Sequence, residues 1–81
     1  MTKRFETALS AYLLTLPAER AEVALAPHLR PEGEPARYLK YQAGRELCGA
    51  IRHAHTLMTK GKLSVDAYAS LSARYDAAIH A

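Results

Sequence analysis

The chain has 81 residues, 49% of them hydrophobic and 23% charged, with a formal net charge of +3. That is enough for one folded domain (1–81) and excludes both a two-domain protein and a disordered one. A single cysteine excludes an intrachain disulfide and a thiolate zinc knuckle, while the mildly basic balance permits nucleic acid or an acidic protein surface and demands neither.

No apolar run approaches the roughly 18 residues a membrane span requires. Glu6, Thr7 and Ser10 interrupt the N-terminal stretch before it reaches signal-peptide length. Together with the lone thiol, this sets the expectation of a cytoplasmic protein with no membrane partner. A domain of this size hides only about 60% of the surface its unfolded chain exposes, so its stability is expected to be marginal. With disulfides and metals closed off, a homodimer is the expected source of further stability.

Alanine is abundant, β-branched residues are sparse and no segment alternates for long, so the fold class is all-α. The first predicted helix covers 3–16, with Thr2 as its N-cap and Phe5, Ala8, Leu9, Tyr12, Leu13 and Leu16 on one face. Pro17 ends it and opens a second helix over 17–26, with Ala21, Leu25 and Leu29 directed inward. The breaker-rich 27–34 segment reads as a loop.

The third helix, 35–60, is the dominant strut, at about 39 Å for its length. Its apolar stripe is Leu39, Ala43, Leu47, Ala50, Ile51, Ala54 and Met58, and Gly61 is its left-handed cap. The fourth starts on an N-cap at Ser64, with Asp66 in its first turn and Tyr68, Leu71, Tyr75, Ala78 and Ile79 inward. The expected architecture is a compact bundle of about four helices around the 35–60 helix.

The polar side of that long helix carries the main functional signal. At about 100° per residue, Arg37, Tyr41, Arg45, Cys48, Arg52 and His55 share a strip about a quarter of the circumference wide. The strip runs along about 27 Å of helix. Guanidinium groups in such a row pair with phosphates in a bidentate fork, or dock into an acidic protein groove. Its bland alternative is a solvated helix face. At its start, Arg37, Tyr38, Lys40 and Tyr41 form an amphipathic corner of the composition enriched at interfaces.

Gly44, Cys48 and Gly49 place small residues mid-helix, where each glycine costs about 1 kcal/mol relative to alanine. Close approach by the first helix accounts for such a patch, as does a dimer seam across a two-fold axis. Cys48 there reads as a small filler. His53 and His55, two residues apart, lie about 200° apart on a helix and cannot chelate one metal. No triad, paired carboxylates or glycine-rich phosphate loop can be argued from spacing.

These features point away from catalysis and cofactors, toward a stoichiometric binder whose partner is another protein: a regulator or inhibitor of a larger machine. By analogy of size and composition alone, small phage and plasmid inhibitors, the anti-CRISPR type included, are similar to such a chain. The alternative is a basic DNA-binding regulator, against which stands a fourth helix with only Ser70, Ser72, Arg74 and Asp76 polar in its middle.

Overall fold

A computed structural model describes residues 2–81 as three α-helices and one 3₁₀ turn: α1 (Lys3–Val23), the turn Pro27–Leu29, α2 (Pro35–Thr59) and α3 (Val65–Ile79). The all-α class holds, with three helices where four were expected. The difference arises at Pro17, which lies inside α1 and does not end it. Its ring removes the N–H that would reach the Leu13 carbonyl. Both residues lie on the exposed side of the helix, so water can take the place of that donor. The segment beyond Pro17 is held in register from outside: Glu19 pairs with Lys40 at 3.5 Å, and Glu22 reaches the start of α2.

Other expectations fail for related reasons. Thr2 occupies the N-cap position of α1, but its side chain makes no capping hydrogen bond because its backbone is already near-helical, at φ −93° and ψ 0°. Ala21, Leu25 and Leu29 are exposed, since 17–26 is no separate helix with a core of its own. Leu39, placed in the apolar stripe by periodicity, is 56% exposed because no element of the chain packs on its side of α2.

The core is the seam between α1 and α2. Phe5, Leu9, Tyr12 and Leu16 of α1 meet Leu47, Ala50, Ile51 and Ala54 of α2, and Leu71 and Ala78 of α3 close over them. The loop between α1 and α2 is tied by one side chain. Arg30 donates from Nε to the Leu25 carbonyl at 3.0 Å, from Nη2 to the Val23 carbonyl at 3.0 Å and from Nη1 to Glu34 at 3.0 Å. It thereby satisfies carbonyls that the end of α1 leaves without partners. Gly33 and Glu34, at φ 78° and 44°, turn the chain into α2.

The second connection follows its capping chemistry. Gly61 at φ 74° lets Lys62 N–H reach the Leu57 carbonyl at 2.8 Å and Gly61 N–H the Met58 carbonyl at 3.0 Å. This is the paired bonding of a glycine-terminated helix. Ser64 Oγ then accepts from the Ala67 N–H at 3.0 Å and opens α3.

Length mismatch sets the overall shape. The 15 residues of α3 cover about 22 Å, whereas the 25 residues of α2 run for about 38 Å. α3 therefore shields only the half of the hairpin that holds the α1 N-terminus, where Arg74 bonds Glu6 at 2.6 and 2.7 Å and lies over the Phe5 ring. The protein is elongated, at 51 × 18 × 15 Å, rather than compact. Its radius of gyration of 15.1 Å exceeds the about 11.7 Å of a compact domain of this length.

Candidate interaction face

The outer side of α2 carries the predicted basic residues, and the fold sorts them into three groups. Arg37 is engaged locally, its Nη1 donating to both Glu34 carboxylate oxygens at 3.3 and 3.1 Å. Lys40 leans across the seam to Glu19. These two cations are largely neutralised. The Arg30 guanidinium, with Arg37 beside it, holds the Glu34 carboxyl below its ordinary range.

Cys48 faces the α2–α3 seam, and His55, still exposed, stands at its edge. His55 meets the Tyr68 ring edge-on, with centroids 5.4 Å apart and planes at 69°. Half-buried Cys48 lies beside Tyr75. Burial first, and then Cys48 and Asp76, push the Tyr75 hydroxyl above its ordinary range. The row is thus split along its length: α3 occupies the side where Cys48 and His55 sit.

The remainder stays open. Tyr38, Tyr41, Arg45 and Arg52 are exposed, and among the described residues Arg45 and Arg52 have no carboxylate partner. Arg45 places its guanidinium carbon 5.9 Å from the Tyr41 ring centroid, a cation–π arrangement that stiffens both side chains. One turn earlier, Gln42 Nε2 donates to the Tyr38 hydroxyl at 3.1 Å. Two rigidified tyrosines and an unneutralised arginine therefore share about two turns of helix.

The small residues have intrachain neighbours. A Cβ added to Gly44 would lie 3.4 Å from the Tyr12 ring, and one added to Gly49 would lie 3.1 Å from Arg4 Nη2. Gly44 is where α1 makes its close approach to α2. Among the described residues, no three His, Cys, Asp or Glu side chains are grouped so as to hold a metal ion, and no helix is long and apolar enough to cross a membrane.

Two features escaped the sequence reading. Glu22 is only 6% exposed, and its carboxylate accepts from the Ala36 and Arg37 backbone N–H groups at 2.9 and 3.1 Å, capping α2 from the end of α1. Nothing in the local pattern marks a cap supplied from so far upstream. The other feature is Leu14, 81% exposed; its sequence signal was its position about 180° from Phe5 on the α1 wheel, an apolar residue on the polar side. No family model matches this chain, and none of the curated proteins or solved structures compared with it gives a significant match.

Proposed function

We propose that the protein acts by binding another protein stoichiometrically, as a small regulator or inhibitor, through the Tyr38–Tyr41–Arg45 face of α2. One observation carries this reading: exposed Tyr41 and Arg45 are stacked on each other and left without an acidic partner, one turn from exposed Tyr38. Tyrosine and arginine are the side chains most enriched at the energetic centres of protein interfaces, and pre-ordered ones lose less entropy on binding. An acidic, partly apolar surface is the complement such a face selects.

Binding to nucleic acid is the weaker reading. Pairing of Arg37 with Glu34 and of Lys40 with Glu19 engages two cations of the row, while His55 stays exposed beside Tyr68 of α3. Affinity for a phosphate backbone grows with the number of cations free to neutralise phosphates.

The test is affinity capture from host lysate, with and without nuclease, comparing the wild type with a Tyr38→Ala/Tyr41→Ala/Arg45→Ala variant of unchanged helical circular dichroism. A discrete protein recovered despite nuclease, and lost with the triple variant, is the expected result. Recovery that collapses under nuclease transfers the function to nucleic acid. A partner retained equally by the variant removes this face from the interaction.

A further inference from the structure

The hydrophobic core stops at Leu16 on α1 and resumes at Ala43 on α2. Between them, residues 17–42 form the tip of the hairpin, and none of their apolar side chains belongs to the core. The one buried residue of this stretch is a carboxylate, Glu22. Val23, Leu25, Leu29, Tyr38, Leu39 and Tyr41 are all exposed. Ala18, Pro35, Ala36 and Leu39 border a shallow hollow between the two helices. α3 gives the tip no cover, because its C-terminal end lies beside Leu9 and Leu13.

Polar contacts hold the tip instead. Residues 17–42 carry four basic and four acidic side chains, so the whole formal charge of +3 belongs to the rest of the molecule, at the α3 end. All of these charged groups but Arg20 and Glu32 are engaged with one another or with backbone groups. Glu19 pairs with Lys40, and Glu22 accepts from the Ala36 and Arg37 N–H groups, which joins the two helices across the tip. Arg30, Glu34 and Arg37 fasten the loop. Beyond the Tyr41–Arg45 stack, and among the described residues, no side-chain hydrogen bond or ion pair runs from the tip to the rest of the molecule.

The junctions suit separation. Pro17 removes a backbone bond where α1 leaves the core, so helical order propagates weakly across it. The tip is also one continuous stretch of chain. Melting it only lengthens the loop between α1 and α2, and closure entropy rises slowly with loop length. Regions with few buried apolar contacts open at lower free energy than a packed core.

We infer that residues 17–42 open and close as one unit over a standing three-helix core, with Glu22 as the latch. Loss of that carboxylate from the α2 N-terminus frees both helices of the tip together. Tyr38 and Tyr41 lie on the tip and Arg45 on the core, so closure sets the tyrosines in line with the arginine. In that last respect the inference rests on the partner-binding reading; the opening itself does not.

Native-state hydrogen exchange on the full chain, followed by NMR at rising but sub-denaturing urea, tests it. The amides of 21–23 on α1 and 39–42 on α2 are expected to share one opening equilibrium, more frequent than that of 47–54. Ile51→Val, in the core, is expected to speed exchange at 47–54 about fivefold and leave the tip unchanged. Glu22→Ala is expected to speed exchange on both sides of the tip by about 30-fold or more. A core variant that accelerates both regions equally shows a single cooperative unit and overturns the proposal. Unequal opening of 21–23 and 39–42, the mark of independent fraying, overturns it too, as does tip exchange indifferent to Glu22→Ala. No partner enters this experiment, so its outcome stands apart from that of affinity capture.

Discussion

Glu22, in the last turn of α1, receives the Ala36 backbone N–H at 2.9 Å, so the end of one helix caps the beginning of the next. The carboxylate holds two first-turn donors and lies at the positive end of the α2 dipole. Glu34, at the formal N-cap position, makes no such side-chain bond because its left-handed backbone turns it toward Arg30 and Arg37 instead. Replacing Glu22 by alanine is expected to cost about 2 kcal/mol, in the range of lost caps and charge-assisted hydrogen bonds. Urea denaturation reads this directly, and a change below about 0.5 kcal/mol means that water caps α2 equally well.

Pro17→Ala is expected to stabilise the protein. Alanine restores the amide that bonds the Leu13 carbonyl, at an exposed position where no packing is lost. The expected gain is about 1–3 kcal/mol, part of the cost of proline in a helix interior. A lower Tm for the variant would show that a bend at Pro17 is needed to seat Glu19 and Glu22.

Gly44 and Gly49 separate packing from propensity. At Gly44 a methyl group would stand in ordinary contact with Tyr12, and at Gly49 it would meet only the mobile tip of Arg4. Both glycine-to-alanine changes are therefore expected to raise stability by about 0.5–1 kcal/mol. Gly44→Leu, by contrast, must displace the buried Tyr12 ring and lower it by about 1–3 kcal/mol. If Gly44→Ala also destabilises, the approach of α1 to α2 is tighter than the structure describes.

Leu47 has no exposed surface and lies at the centre of the core. Leu47→Ala should remove about 2–5 kcal/mol, a large share of the stability of a domain this small. Thermal unfolding followed at 222 nm provides the check; a Tm unchanged within error would place the core elsewhere.

Acid acts through two carboxylates, the exposed Glu6 and the half-buried Glu34. Hydrogen bonds from Arg74 lower the pKa of Glu6, and those from Arg30, then Arg37, lower that of Glu34, both from an ordinary 4.5. A depressed folded-state pKa contributes stability that is fully present above the unfolded value and is lost as pH falls through the folded one. The unfolding midpoint should therefore drop as pH is taken below 4.5. A Glu6→Gln/Glu34→Gln variant should start lower at neutral pH and lose less on acidification. Parallel curves for the two proteins would show that these pairs contribute nothing at the surface.

What could be read from the sequence was local chemistry. Gly61 and Ser64 mark the α2–α3 turn because only particular residue types satisfy a helix end, and both act there as expected. Leu47, Ala50, Ile51 and Ala54 fall on the buried face because one helix period places them together. Pro17 misled for the converse reason: its local preference for a break is outweighed by contacts that Glu19 and Glu22 make with α2. Leu39 carries the right period yet faces outward, since periodicity shows which residues share a side and not whether anything covers it. The basic row was legible as a row, but its pairing with Glu34 and Glu19 and its division by α3 depend on the tertiary arrangement.

The placement of all net charge on one half gives the free protein an electric dipole along its 51 Å axis. In the field of an acidic surface the molecule turns α3 end first before any contact forms. Its encounter rate with such a surface should fall with ionic strength. Dissociation, governed by side chains already in contact, should respond far less.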